Sequence, residues 1–239
     1  MTLRNVWPLQ VLWQENISGE MLYGVAAGIN RVLSLAGVHK EFKIEYLAQR
    51  RQPEYLNPDG TLKPYQSLDW HIDLAEKNRK LAGHLNCLRL LDSLLGNPNY
   101  ETEPRYELVV VKEPLHWSDT SVIVVNGIGR KGQGAVITLA DYLDLLQPIL
   151  REKEGDRKKR QADFLFGTQR RTIHEIGHFF GLFPGIDSLN PTDEERKWSH
   201  CLNECVMYWR DDANLHKKIQ DNPFCPSCLE KLKQYFIEP

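Results

Sequence analysis

A run of metal-binding side chains in the last third of the chain constrains its fold more than any other feature. His174 and His178 lie four residues apart in the sequence His-Glu-Ile-Gly-His. Because a helix advances 3.6 residues per turn, residues four apart project from one face, where both imidazoles can bind the same metal ion. Glu175 then lies beside the metal without binding it, where its carboxylate can take a proton from a metal-bound water. The pattern predicts a helix that carries a catalytic zinc site.

The third zinc ligand must come from beyond this helix. A catalytic zinc ion usually has three protein ligands and one open position for water. We expect His200 to be the third ligand. Gly181 has no Cβ and allows the chain to turn sharply out of the helix and return toward the metal. The predicted site therefore consists of His174, His178 and His200 as zinc ligands, with Glu175 as the general base.

Four of the five cysteines form a second group of donors. Cys201 and Cys205 are followed by the pair Cys225 and Cys228. Four thiolates complete the tetrahedral coordination of zinc and leave no position for water, so we expect a structural zinc. The alternative is two disulfides, but the amino-terminal residues lack the apolar run and cleavage pattern of an exported protein. We interpret the remaining cysteine, Cys87, as a buried apolar side chain.

Together these residues resemble the motif of the archaemetzincins, zinc peptidases of the metzincin clan. The family pattern is His-Glu-x-x-His-x-x-Gly-x-x-His-Cys, four residues, Cys-x-Met, seventeen residues, and Cys-x-x-Cys; residues 208–224 supply the seventeen. The resemblance implies the histidine ligands, the glutamate base and the structural cysteine site named above. It also implies that Met207 is the Met-turn residue, an apolar floor beneath the metal.

The chain departs from this pattern in two places. Where the family has its third histidine this chain has Pro184, and 16 additional residues precede His200. The spacing between Cys201 and Cys205 is one residue shorter than in the family. Since the cost of closing a loop grows only logarithmically with its length, we expect the insertion to be a surface excursion whose two ends lie close together.

The insertion, residues 184–199, has sequence signals of its own. Thr192 and Glu195 fit a capping box, and Asn190 followed by Pro191 is an alternative start, so we expect a short helix. Its position beside the metal suggests the hypothesis that it narrows the cleft or acts as a lid. Asp187 is an alternative third zinc ligand, because some metzincins have an aspartate in that role.

Length and composition are those of a folded enzyme of one or two compact units. The chain has 239 residues, of which 41% are hydrophobic and 26% charged, with a net charge of -2. This composition favours neither disorder, nor membrane insertion, nor nucleic-acid binding. We expect a cytoplasmic monomer that acts on a peptide or protein substrate. We divide it into residues 1–183, with the active-site helix, and residues 184–239, with the insertion, the Met-turn and the cysteine site.

The hydrophobic pattern predicts alternating strands and helices. The predicted strands are 9–13, 39–47, 106–111, 122–125 and 134–139, and the predicted helices are 18–37, 68–95 and 141–150, before the metal helix. This order indicates an α/β (α+β) fold with a twisted mixed sheet packed with helices. With the family resemblance, it becomes a zincin-like fold with an active-site helix and a small zinc-stapled C-terminal subdomain.

Three other segments have specific interpretations. Residues 127–132 match a dinucleotide-binding glycine pattern, but a second strand follows them instead of a helix, so we predict a glycine-rich hairpin. Residues 131–139 are similar to the metzincin strand that borders the cleft and can bind an extended peptide. We interpret the charged run 151–160 as a solvated linker. The remaining histidines lack ligand spacing: His39, His71, His84, His116 and His216.

The predicted reaction is hydrolysis of a peptide bond by a zinc-activated water, with Glu175 as general base. Some metzincins stabilise the oxyanion with a tyrosine two residues after the Met-turn methionine, but that position is Trp209 here, so we assign no residue to this role. The alternative function is an inactive zinc-stabilised binding protein that uses its cysteine module for interactions. Glu175 argues against it, since a structural metal has no use for an acidic residue between its histidines.

Overall fold

The computed structural model describes most of the chain. The described residues are 3–19, 21–48, 56–77, 82–96, 104–118, 121–147, 152–183, 192, 194–195, 199–203, 205–208 and 222–237. The strands are β1 (Leu9–Trp13), β2 (Ile44–Ala48), β3 (Leu85–Asn86), β4 (Tyr106–Val111), β5 (Leu115–Ser118), β6 (Ser121–Val125), β7 (Gly127–Arg130) and β8 (Gly134–Thr138). The helices are α1 (Tyr23–Ala36), α2 (Leu68–Glu76), α3 (Cys87–Leu95), α4 (Ala140–Leu143), α5 (Glu154–Phe179) and α6 (Pro226–Tyr235), with a 3₁₀ turn at Asp144–Leu146.

A five-stranded mixed sheet forms the centre of the fold. Its order is β2-β1-β4-β8-β7, with β7 antiparallel to β8 and the other pairs parallel. A smaller sheet has the order β3-β5-β6. Every residue of β4 is buried, as expected for a strand of a sheet that is covered on both faces. The predicted twisted mixed sheet packed with helices is therefore confirmed.

Alternate residues of the central strand β4 face two different hydrophobic cores. Leu108 and Val110 of β4 belong to the core that α1 and α5 cover, whereas Val109 and Val111 belong to the core that α2 and α3 cover. Successive strand side chains point to opposite faces, so one apolar strand contributes to both cores. The metal helix α5 thus lies on one defined face of the sheet.

Helix α1 fixes the position of α5 through two glycines. A Cβ at Gly28 would lie 2.8 Å from Thr172 Cβ and 2.9 Å from the backbone oxygen of Gln169. A Cβ at Gly24 would overlap with Thr168. The two helices therefore approach more closely than any larger residue at these positions would allow, and the contact lies directly before the predicted metal-binding turns.

Several predicted elements are confirmed and others are corrected. Strands β1 and β4 have the predicted bounds, and the predicted strands 122–125 and 134–139 correspond to β6 and β8. Helix α1 ends at Gly37, which has a φ of 79°, but it begins at Tyr23; Ser18 accepts a hydrogen bond from Met21 N in the turn before it. Strand β2 is shorter than predicted. In the described part of the predicted helix 141–150, residues 141–146 are helical, within α4 and the 3₁₀ turn. Residues 148–150 lie outside the described part.

The single long helix predicted over residues 68–95 is wrong. Two helices, α2 and α3, occupy this range, and β3 lies between them. Each has its own N-cap, because Ser67 accepts a hydrogen bond from Trp70 N and Asn86 accepts one from Arg89 N. Gly83 has a φ of 76°, which a continuing helix cannot adopt. The apolar spacing persisted across the break because both helices face the same core.

The interpretation of residues 151–160 as a linker is also wrong. Residues 154–160 form the first turns of α5. The side chains of residues 154–159 are exposed, as predicted, and Glu154 pairs with Arg157 and Lys158 at helical spacing. Such i,i+3 and i,i+4 pairs support a helix on an exposed face, so the mixed charges extend the metal helix.

Strands β2 and β7 form the two edges of the main sheet, and residues 131–139 form neither of them. Strand β8 lies inside the sheet, paired with β4 on one side and β7 on the other. Residues 127–132 belong to the β7–β8 hairpin, which confirms the prediction of a glycine-rich hairpin. The sequence pattern pointed to β8 instead of β7 as the edge strand, because β7 is only four residues long and two of these residues are glycines.

The first and last described residues of the chain are joined. Leu3 and Ile237 form an antiparallel bridge, and Arg4 N donates to Phe236 O at 3.0 Å. Residues of α6 share the hydrophobic core of α1 and α5. The division at residue 184 stays a prediction. Among the described residues, no helix combines the length and apolarity that crossing a bilayer would require.

Candidate metal centres

Three histidines converge at the C-terminal part of α5. His174 and His178 project from this helix, and His200 reaches them from the segment 199–203; their ligand atoms lie within 4.8 Å of one another. The Nε2 atoms of His174 and His178 are 3.2 Å apart. Two nitrogens that bind a tetrahedral zinc at about 2.0–2.1 Å are about 3.3 Å apart. The separation therefore fits shared coordination. We call these three residues the histidine site.

Hydrogen bonds hold two of the rings in orientations suited to a metal. His174 Nδ1 lies 2.7 Å from the carbonyl oxygen of Val206, so Nδ1–H donates and the lone pair of Nε2 points toward His178. His200 Nδ1 is 2.9 Å from Ser199 Oγ. Burial, together with the neighbouring His174 and His200 rings, lowers the pKa of His178 well below its usual value. His178 is therefore held in the neutral form that binds metal.

Glu175 belongs to α5, and its side chain lies against the edge strand β7. A Cβ at Gly127 would come within 2.7 Å of Glu175 Cγ. Burial raises the pKa of the carboxyl to about 8, and the nearby positive charge of Arg171 acts in the opposite direction. Arg171 is itself buried and held by Thr138 O and, at 3.0 Å, by Asp141. A divalent cation at the histidine site would further favour the carboxylate.

The glycines of β7 allow this strand to contact the metal helix directly. A Cβ at Gly129 would lie 2.5 Å from the backbone oxygen of Glu175 and 2.8 Å from His178 Cβ. Thr138 N donates to Asn126 O at 3.1 Å, which fixes the antiparallel pairing so that Gly127 and Gly129 direct their N–H and C=O groups away from β8. These groups line the outer edge of the sheet beside Glu175.

The end of α5 agrees with the sequence prediction. Gly181 has a φ of 78°, the left-handed conformation that the sharp turn requires. Gly132 N, in the β7–β8 turn, donates to Phe179 O at 2.8 Å. Met207 is fully buried and packs against Gly177, where a Cβ would overlap with its sulfur. Met207 therefore lies against the metal helix one residue before His178.

The four cysteines named above form a second cluster, the cysteine site. Cys201 Sγ and Cys225 Sγ are 3.7 Å apart, and Cys205 Sγ and Cys228 Sγ are 3.9 Å apart. Thiolates that bind a tetrahedral zinc at about 2.3 Å are about 3.8 Å apart, whereas a disulfide is about 2.05 Å long. All four cysteines are free thiols. The donor geometry fits zinc and does not fit two disulfides.

Hydrogen bonds and burial act in opposite directions on the thiols of the cysteine site. The hydrogen bond that Cys205 shares with Cys228 lowers the pKa of Cys205 to about 5 and raises the pKa of Cys228. Asn203 donates from its backbone N to Cys201 Sγ at 3.3 Å and from its side chain to Cys225 Sγ at 3.6 Å. Burial raises the pKa of Cys201 to about 11, as expected for a thiol without a metal.

The residues that flank the insertion lie at the histidine site. Before it, the backbone of Phe183 lies beside the His178 ring. After it, the His200 ring centroid is 4.9 Å from that of His178. The capping box is confirmed, because Thr192 N donates to Glu195 Oε2 at 2.7 Å and Glu195 N donates to Thr192 Oγ1 at 3.2 Å. The lid hypothesis is not tested, and Asp187 and Trp209 lie outside the described residues.

The remaining described histidines and Cys87 belong to neither of the two metal-binding groups. His71 Nδ1 is 3.0 Å from Ser93 Oγ, and His116 Nδ1 is 3.1 Å from Ser118 O. Cys87 is fully buried and its thiol donates to Trp117 O, in agreement with the prediction. His39 and His84 form hydrogen bonds at the surface. His216 lies outside the described residues.

Sequence reasoning missed the groups that orient the site. Val206 contributes a backbone carbonyl, for which no side-chain pattern exists. The Gly-x-Gly of β7 was visible, but only the contact with α5 gives it a role. Arg171 lies one turn before Glu175. In the sequence it looks like the other charged residues of α5, and only its burial in the structure sets it apart.

Comparison with known proteins places the fold. No protein-family model matches the chain. Its structure is similar to the archaemetzincin of Methanopyrus kandleri, with a TM-score of 0.56 and 21% sequence identity over 97% of this chain and 96% of that chain. A zinc-dependent peptidase from Methanocorpusculum labreanum (strain Z) gives a TM-score of 0.48 and 17% identity over 94% of this chain and 99% of that chain.

A comparison of sequences gives a different kind of relative. The chain is 23% identical over 180 residues to the dTTP/UTP pyrophosphatase of Desulfitobacterium hafniense (strain Y51), covering 72% of this chain and 81% of that protein. The structural match extends over nearly the whole of both chains. The fold of this protein is archaemetzincin-like.

Proposed function

We propose that this protein is a zinc-dependent metallopeptidase. One observation carries the proposal: the three histidine side chains converge, and Glu175, the residue after His174 in α5, is buried. Such a set provides three neutral ligands, leaves a fourth position for water, and includes a base that is not a ligand. Bound at the histidine site, zinc would acidify that water and polarise the carbonyl of the scissile bond.

The remaining chemistry belongs to Glu175. Its carboxylate takes a proton from the attacking water and later donates that proton to the nitrogen of the leaving amine. The side chain has little freedom, because Gly127 and the metal helix enclose it. Arg171 keeps a positive charge nearby, which favours the carboxylate needed for the first of these steps.

The outer edge of β7 is the proposed binding surface for the peptide. An extended backbone that pairs with Gly127 and Gly129 would form an additional strand of the main sheet. Its scissile bond would then lie between this edge and the histidine site. Backbone pairing provides affinity without a strong demand on side chains, so the proposed substrate is an extended peptide or a flexible segment of a protein.

A second zinc at the cysteine site has a structural role in this proposal. Its four thiolates leave no position for a substrate. Met207, packed against Gly177, forms the apolar floor of the catalytic site. We propose two zinc ions per chain.

Metal analysis and peptide cleavage test the proposal together. Purified protein should contain two zinc ions and cleave members of a random peptide mixture, as detected by mass spectrometry. Glu175→Gln should retain both ions and lose cleavage. A chain with one zinc ion that binds peptides without cleaving them would instead support the binding-protein alternative.

Because the sequence is similar to that of a nucleotide pyrophosphatase, one further experiment is needed. The protein should be incubated with dTTP and UTP, and pyrophosphate release measured. We expect no release that depends on Glu175. Release that Glu175→Gln abolishes, in the absence of peptide cleavage, would contradict the peptidase proposal.

A further inference from the structure

The two metal centres share one short segment of backbone. His200, of the histidine site, immediately precedes Cys201, of the cysteine site. Cys205 immediately precedes Val206, whose carbonyl holds the His174 ring. Each end of the segment 200–206 therefore carries one group for each centre.

Backbone hydrogen bonds join the two ends of this segment. Cys201 N donates to Met207 O at 2.8 Å, and Cys201 and Tyr208 form a parallel bridge. Val206 N donates to Pro223 O at 2.7 Å, which attaches the segment to the chain leading into Cys225. Val206 thus receives support from the cysteine side through its N–H and supports His174 through its C=O.

We propose that the cysteine site positions the catalytic site: metal bound by the four cysteines holds Val206 and His200 in place and thereby strengthens metal binding by the three histidines. The proposal rests on the two zinc sites proposed above and does not depend on peptide hydrolysis. Val206 and the four cysteines act as positioning residues, since none of them touches the reacting atoms.

The local structure explains why this segment needs a metal. Its described residues form turns and one isolated bridge and no helix or extended strand, so few backbone hydrogen bonds define its shape. Metal at the cysteine site ties residues 201 and 205 to α6, which has Cys225 at its N-cap and Cys228 in its first turn.

The size of the effect follows from the orienting role of Val206. Loss of a group that orients a metal-bound imidazole typically weakens metal binding about 10–100-fold. Because coupling between two binding sites is reciprocal, metal at the histidine site should strengthen the cysteine site by the same factor. This equality separates coupling from general damage to the fold.

The test measures Co²⁺ affinity at each site by competition with a chelator. Only the cysteine site gives thiolate-to-cobalt charge-transfer absorption, so the two sites are read separately. Cys225→Ser removes a half-buried donor of the cysteine site, and Asn203→Ala removes one hydrogen bond to the same sulfur. Ser227→Ala, an exposed position between Cys225 and Cys228, is the matched control.

We expect the affinity of the histidine site to fall about 10–100-fold in Cys225→Ser, less in Asn203→Ala, and less than about twofold in Ser227→Ala. Wild-type affinity in Cys225→Ser, with its cysteine site empty and its circular dichroism unchanged, would overturn the proposal. The reciprocal arm applies even where Cys225→Ser does not fold.

In the reciprocal arm, His178→Gln removes a ligand of the histidine site without altering the shared segment. Its cysteine site should bind Co²⁺ about 10–100-fold more weakly than that of the wild-type protein with both sites filled, the same factor that is expected in the first arm. An unchanged affinity would refute the coupling. A wild-type histidine site that binds no metal would refute the proposed function itself, and cleavage activity enters neither measurement.

Discussion

The contact between β7 and the metal helix gives the sharpest prediction about the catalytic site. Gly129→Ala would place a Cβ 2.5 Å from the backbone oxygen of Glu175 and 2.8 Å from His178 Cβ. Ordinary carbon contacts are about 3.5–4.0 Å, so β7 and α5 must separate by about 1 Å. The obstacle is helix backbone, which cannot rotate away as a flexible side chain would.

Overpacking of this kind costs about 1–3 kcal/mol, and we expect the upper part of that range for Gly129→Ala. Urea denaturation of the metal-loaded protein measures the loss in the free energy of unfolding. Gly19→Ala is the control, since a Cβ there has no atom within 4 Å. We also expect Gly129→Ala to reduce peptide cleavage more than zinc content, because the displaced strand carries the proposed peptide-binding edge.

The reasoning fails if Gly129→Ala unfolds within about 0.5 kcal/mol of Gly19→Ala, the range of ordinary surface substitutions. Such a result would mean that β7 does not approach the metal helix this closely. Stability lost without any effect on cleavage would leave the contact intact but remove β7 from the proposed binding surface.

Three further predictions concern the support of α5. In the metal-free protein, burial raises the pKa of Glu175 from 4.5 to about 8. The stability that the neutral carboxyl contributes is therefore complete below about pH 4.5, decreases as the pH rises from 4.5, and is fully lost once the pH has passed through 8. Glu175→Gln should therefore be more stable than wild type by about 3 kcal/mol at pH 7 and equal at pH 4, as measured by urea unfolding after chelation; equal stability at both would contradict the burial argument. Gly28→Ala should lower the free energy of unfolding by about 1–2 kcal/mol because its Cβ meets Thr172, and a stability gain would contradict that contact. Arg171→Met should cost about 2–3 kcal/mol by leaving the Thr138 carbonyl without its donor, whereas a change below about 0.5 kcal/mol in thermal unfolding would show that water replaces it.

The sequence was a sufficient guide wherever a local pattern fixes the outcome. The spacing of His174 and His178 places both on one helix face, and Gly181 adopts the left-handed turn that its sequence position suggested. The Thr192 and Glu195 capping box formed as predicted, since all its bonds lie within four residues. Apolar runs gave β1 and β4 correctly because their residues are buried on both faces.

Errors arose where distant parts of the chain decide the structure. The spacing of apolar residues continues across the break between α2 and α3. The break itself is evident from the pairing of β3 with β5 and from the two N-caps. The edge position of β7 is not a local property, since an edge is defined by which strands lie beside it. The charged residues 154–160 form the first turns of α5, and exposed ion pairs at helical spacing support them.

The amino-acid sequence by itself determined the kinds of donor atoms and their grouping into histidine and cysteine ligands, because side-chain chemistry and helical spacing are local properties. Tertiary structure alone decided that His200, 22 positions after His178, arrives beside it, that the cysteine sulfurs are spaced as zinc ligands, and that Val206 connects the two centres. These relations depend on how β7, α1 and α6 pack around α5, and such packing is a property of contacts between residues far apart in the chain.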